Sequence, residues 1–178
     1  MNTSILVAGS GGQGILFAGK LMAQAAMEGA MNVTWFPSYG AEVRGGTANC
    51  TVVISDGLIG SPVISSPDVL AVMNQESFER FGAKVRKKGL LILNSSIVSG
   101  EPERTDLKVV RIPAGEIAVS MNAPLSANMV LCGALARAAS ICELPVLKHA
   151  LKMLAGGKPA ILEVNTKALE RGWQYFDN

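Results

Sequence analysis

The sequence predicts an α/β domain: a mainly parallel sheet flanked by helices, with a Rossmann-like start and a helical C-terminal third. Ser4–Ala8 (SILVA) is a short, continuously apolar run that ends at glycines, as a strand buried on both faces does. The glycine-rich stretch GSGGQG, Gly9 to Gly14, then opens a helical pattern over residues 14–29. Short apolar runs alternate with helical patterns until Val109–Ile112, after which only helical patterns follow.

Each element has its own signal. In residues 14–29, Ile15, Leu16, Ala18, Leu21, Met22, Ala25 and Ala26 are spaced to face a sheet, and Gly29 supplies a stop. Asn32–Phe36 (NVTWF) is the second strand; strand, glycine turn, helix and strand form a βαβ unit, so the first two strands should run parallel. Pro37–Gly46 (PSYGAEVRGG) is a polar, glycine-rich loop, and Thr47–Ser55 is a β-branched strand closed by the turn signal Asp56-Gly57. Asp68–Met73 and Leu90–Leu93 are short buried strands on either side of a helix over Gln75–Phe81, which Asn74 can cap. Beyond the last strand come a short helix over Ala114–Ser120 and a small-residue helix over Ser126–Ser140. Pro145 then starts another helix, and Glu163–Phe176 is amphipathic. With no repeat and no long linker, residues 1–178 are expected to form a single domain.

Composition excludes several classes. Charged residues are only 17% of the chain against 49% apolar, which argues against disorder and suggests apolar surface covered by a partner. A net charge of +2 is too small to indicate nucleic acid, and the cluster from Lys84 to Lys88 reads as a solvated helix end. No apolar run is long enough to span a membrane and no signal peptide is recognisable, so a cytoplasmic protein is expected. Cys50, Cys132 and Cys142 lack cluster spacing, and the single histidine, His149, has no ligand-spaced companion, so no metal site is expected.

Gly9, Gly11 and Gly14 satisfy G-x-G-x-x-G between a strand and a helix, where backbone N–H groups can bind an anion. A dinucleotide site also requires an acid at the end of the second strand, and that strand ends Thr34-Trp35-Phe36-Pro37. A P-loop fails too, since no G-K-[ST] follows and Lys20 lies within the helix. Ser38–Gly46 leaves the second strand at the edge where the glycine loop leaves the first, so the two should lie close together. Within it Arg44 offers planar donors for a carboxylate or phosphate with Glu42 to orient it; alternatively the pair only pins the loop. Ser10 is not in G-x-S-x-G, and no catalytic set is evident.

Three segments together carry a specific resemblance: GSGGQGILFAGKLMAQAA, PSYGAEVRGGTANCTVVIS and NAPLSANMVLCGALA. Over nearly its whole length the chain resembles the gamma subunit, or gamma domain, of 2-oxoacid:ferredoxin oxidoreductases, the family of pyruvate, 2-oxoglutarate, ketoisovalerate and indolepyruvate enzymes. The resemblance implies a gamma-type α/β domain that supports an oxidoreductase complex and is inactive in isolation. In such a complex a 2-oxoacid undergoes oxidative decarboxylation on thiamine diphosphate with magnesium. Electrons pass through iron–sulfur clusters to ferredoxin, and the acyl group goes to coenzyme A, giving acyl-CoA. The cofactors belong to thiamine-binding and ferredoxin-like partner subunits, and none is expected on this chain alone. The implied coenzyme- or subunit-facing residues are Gly9, Ser10, Gly11, Gly12, Gln13, Gly14, Ser38, Tyr39, Glu42, Arg44, Gly45, Gly46 and Asn128, with Met129 beside the last. An isolated chain can self-associate through the same surface as a homodimer. A free-standing nucleotide-binding module or small dehydrogenase, and a purely structural subunit, are the competing readings, and no residue here distinguishes one 2-oxoacid from another.

Overall fold

The computed structural model describes residues 2–39, 46–156 and 159–177. In chain order the elements are β1 (Asn2–Ser10), α1 (Ile15–Glu28), β2 (Asn32–Tyr39), β3 (Thr47–Ser55), β4 (Val69–Val72), α2 (Gln75–Phe81), β5 (Leu90–Asn94) and β6 (Lys108–Ile112). The helices α3 (Ala114–Ser120), α4 (Ala127–Ala138), α5 (Leu144–Leu154) and α6 (Pro159–Gln174) complete it. Asn74 caps α2 as expected, its side chain accepting from the Ser77 N–H.

The six strands form one sheet in the order β2-β3-β1-β4-β5-β6. β1, β4, β5 and β6 are parallel, whereas β3 pairs antiparallel with both β1 and β2. The first two strands therefore point the same way, as a βαβ unit requires, but they are not neighbours. β3 folds back from β2 and takes the place beside β1. Burial explains the exchange. Cys50, Val52 and Ile54 on one face of β3 and Thr51, Val53 and Ser55 on the other are all buried, so this strand needs an interior position. β2 carries an exposed Phe36 and a Pro37 that cannot donate to a ladder, features that suit an edge strand.

Alternate residues of the central strands feed two apolar layers. Val69, Ala71 and Ile92 pack with α1 and the C-terminal helices, while Leu70, Val72, Leu91 and Leu93 pack with Phe78 and Phe81 of α2. On the first side α4 and α6 lie almost backbone to backbone. A Cβ on Gly133 would come within 2.1 Å of the Leu169 carbonyl oxygen, and one on Gly172 within 1.9 Å of that of Val130. This contact is the reason for the small-residue composition of α4.

Several polar residues noted in the sequence have structural partners. Asp68 accepts from both the N–H and the hydroxyl of Ser4 and pairs with Arg86 at 2.7 Å, tying the start of β4 to β1. Asp106 pairs with Arg104, whose guanidinium holds its carboxyl down at about 2, below the usual carboxylate range. His149 lies on the surface of α5 with Nδ1 2.8 Å from Glu28. Cys132 is buried in the core of α4, and Cys142 is half-buried.

Candidate functional site

The turn after β1 is built by glycines, two of which adopt a backbone conformation that favours glycine. Gly12 has φ +93° and Gly14 φ +72°, in the left-handed region that disfavours a side chain. Gln13 then clips the turn shut: its Oε1 accepts from the Ser10 N–H at 2.7 Å and its Nε2 donates to the Met73 carbonyl at 3.3 Å. The Ser10 hydroxyl accepts from Asn74 at 2.6 Å. The side chains of Ser10 and Gln13 are thus engaged within the fold, linking the ends of β1 and β4.

The second loop returns to this turn. Gly11 N–H donates to the Gly46 carbonyl at 2.9 Å, directly beside the Ser10–Thr47 pair that ends the β1–β3 ladder. Ser38, exposed near the end of β2, pairs with Asn49 at the same edge, and the backbone of Tyr39 pairs with Ala48. Glu42, Arg44 and Gly45 lie outside the described residues.

The third segment closes on the same point from α4. Asn128 Nδ2 donates to the Gly14 carbonyl at 3.4 Å, and a Cβ on Gly14 would sit 2.2 Å from that amide nitrogen. Met129, next in sequence, is buried in the core and is not part of this surface.

The glycine turn, the start of α1 and Ala48 of β3 border an open hollow of about 550 Å³, lined by Ser10, Gly11, Gly12, Gly14, Ile15, Leu16, Phe17 and Ala48. Its chemistry is unpaired donors beside apolar surface. The first turn of α1 carries no acid, and its N-cap, Gly14, supplies no side-chain cap. The Gly12 and Gly14 N–H groups have no backbone partner among the described residues. Such an edge favours an anionic group over a cation. Cys50 lies beneath it and donates to the Ile15 carbonyl at 3.4 Å; burial pushes its thiol up to about 11, so it is a packing residue and not a nucleophile.

The dinucleotide reading loses its geometry here. A Rossmann site uses a second strand adjacent to the first to present a ribose-binding acid, and β3 occupies that place. Arg80 of α2, which the motifs pass over, reaches this edge through Thr47 Oγ1 at 3.2 Å. Its position depends on strand order, so local spacing gives no sign of it.

Fold and site together define a glycine-turned α/β domain of the kind solved as the gamma subunit of a keto/oxoacid ferredoxin oxidoreductase from Geobacter sulfurreducens. That structure shares 27% identity and a TM-score of 0.83, covering 97% of this chain and 96% of its own. The chain belongs to the pyruvate ferredoxin/flavodoxin oxidoreductase family, whose model matches residues 4–175. It is 35% identical over 169 residues to ketoisovalerate oxidoreductase subunit VorA of Methanothermobacter marburgensis, covering 94% of this chain and 35% of the relative. It also matches a 2-oxoglutarate:ferredoxin oxidoreductase of Magnetococcus marinus, solved with 2-oxoglutarate, coenzyme A and succinyl-CoA bound. There the identity is 28% and the TM-score 0.85, covering 96% of this chain and 30% of that one. The chain thus spans about a third of the length of the ketoisovalerate relatives it matches. No helix among the described residues is long and apolar enough to cross a membrane.

Proposed function

We propose that the chain is the gamma subunit of a 2-oxoacid:ferredoxin oxidoreductase complex, which converts a 2-oxoacid to acyl-CoA by oxidative decarboxylation and passes the electrons to ferredoxin. In this reading the chain supports assembly of the complex, and its glycine-turned sheet edge forms the coenzyme A side of the active site. The observation that carries it is convergence. Gly11 bonds to Gly46 and Asn128 bonds to Gly14, so three segments distant in sequence meet at one edge. The relative solved with coenzyme A bound contains a region matching 96% of this chain, which supports a role in a coenzyme A-using complex.

The chain's own residues then have distinct tasks. Gly12 and Gly14 let a ligand approach the backbone closely and present N–H groups to its phosphates. Gln13, bonded to Ser10 and Met73, holds that turn in place. Asn128 fixes the start of α4 against it, and Leu16 and Phe17 offer apolar contact to the ligand arm or a partner subunit. Ser38, Tyr39, Glu42, Arg44 and Gly45 are assigned to contact with coenzyme A or a partner subunit, with Arg44 as the anion-binding cation.

The described residues offer no ligand set for the metals of such a complex. Among the described residues no group of three His, Cys, Asp or Glu side chains is placed to hold a metal ion. Cys50 and Cys132 are buried in the core, where burial raises both thiols. We assign thiamine diphosphate, magnesium and iron–sulfur clusters to thiamine-binding and ferredoxin-like subunits.

The test is purification of the complex from native cells through a tag on this chain. Mass spectrometry of the co-purifying chains, thiamine content, and ferredoxin reduction with a panel of 2-oxoacids are then measured. Thiamine-binding partners and reduction that requires both a 2-oxoacid and coenzyme A are expected, and the panel would name the 2-oxoacid. Recovery of the chain as an active dehydrogenase that uses a nicotinamide cofactor would contradict the proposal.

A further inference from the structure

Arg80 is a cation that no motif accounts for. α2 packs against the face of the sheet opposite α1, yet the Arg80 guanidinium reaches the sheet edge by donating to Thr47 Oγ1 at 3.2 Å. Thr47 follows Gly46, whose carbonyl takes the Gly11 N–H, and it pairs with Ser10 across the ladder. The guanidinium also lies 5.2 Å from the centre of the Phe81 ring. Among the described residues no carboxylate pairs with it, whereas most other arginines here do have such a partner: Arg86, Arg104, Arg111 and Arg137. Its helix neighbour Glu79 accepts instead from Gln75. An exposed guanidinium held by a neutral hydroxyl and an aromatic ring keeps its charge and most of its donors for something else.

That something is anionic. The Gly12 and Gly14 N–H groups have no backbone partner among the described residues, the first turn of α1 carries no acid, and Arg80 adds a full positive charge where Gly11 meets Gly46. We propose that Arg80 is a specificity-determining residue of this edge, its guanidinium meeting a phosphate of coenzyme A so that the site selects the phosphorylated carrier over its bare thiol arm. The inference rests on the coenzyme A reading above and adds to it a residue from the other side of the sheet.

The test compares coenzyme A with pantetheine, which carries the same thiol and no phosphate, in the complex purified with wild-type, R80Q or R80K chain. The ratio of kcat/KM for coenzyme A to kcat/KM for pantetheine is expected to fall about tenfold in R80Q and to recover largely in R80K, as for loss of one charge-assisted hydrogen bond. The wild-type ratio should also decline with added salt more steeply than that of R80Q. An unchanged ratio in R80Q, or equal losses with both thiols, would overturn the role of Arg80 while leaving the coenzyme A reading standing. A wild-type complex whose turnover needs no coenzyme A would overturn that reading, and Arg80's role with it.

Discussion

Gly172→Val is expected to destabilise the fold by about 3 kcal/mol or more, at the upper end of overpacking effects. A Cβ at this position would lie 1.9 Å from the Val130 carbonyl oxygen and 2.7 Å from its carbon. Those are backbone atoms, so no rotamer change relieves the overlap; α4 and α6 must move apart. Leu169 and Ala168, buried on α6, would lose their fit against α4 as they did so. In a domain of this size, ~3 kcal/mol corresponds to a fall in Tm of roughly 10 °C. Differential scanning calorimetry checks it. Gly12→Ala provides the contrast, because an added Cβ there meets nothing within 4 Å and the penalty comes only from the backbone, with φ at +93°. About 1–2 kcal/mol is expected for it. Equal losses from the two substitutions would show that the α4–α6 contact does not govern stability.

Arg44→Ala is expected to raise the KM for coenzyme A by about 10- to 100-fold, the equivalent of one charge-assisted hydrogen bond of roughly 1.5–3 kcal/mol. The isolated variant should melt with the wild type. The sequence left two roles open for this arginine: contact with an anionic ligand, or a pair with Glu42 that only pins its loop. Steady-state kinetics of the purified complex separates them. A pinning role predicts that Glu42→Gln raises the KM as much as Arg44→Ala does. A ligand role predicts the larger effect for Arg44, and a KM and assembly identical to wild type in Arg44→Ala would remove it from the site.

Much of the architecture was legible because local burial leaves periodic marks. The continuous apolar runs of β4 and β5 and the capping Asn74 identify their elements without any tertiary information. Strand order leaves no such mark. The βαβ start suggests that β2 neighbours β1, and only the two-sided burial of β3, together with Pro37 in β2, explains why β3 lies between them. The proximity of the two glycine loops followed from a simpler argument, that both leave the same sheet edge, and the Gly11–Gly46 bond agrees with it. The clip made by Gln13 was not legible. One of its partners, Met73, lies sixty residues away and contributes only a backbone carbonyl, which carries no residue identity. Arg80 was hidden for the same kind of reason, since its link to Thr47 crosses from one face of the sheet to its edge.

The central claim is that the edge formed by Gly9–Gly14, Gly46–Ala48 and Asn128 adjoins coenzyme A in the assembled complex. Hydrogen–deuterium exchange of that complex with and without coenzyme A tests it most directly. The account predicts slowed exchange at the Gly12 and Gly14 amides, which have no backbone partner among the described residues, and over the first turn of α1. Exchange in α5, whose His149 meets Glu28 at the C-terminal end of α1, should not change. Coenzyme A-dependent turnover with protection confined to other subunits, and none at the glycine turn, would contradict it.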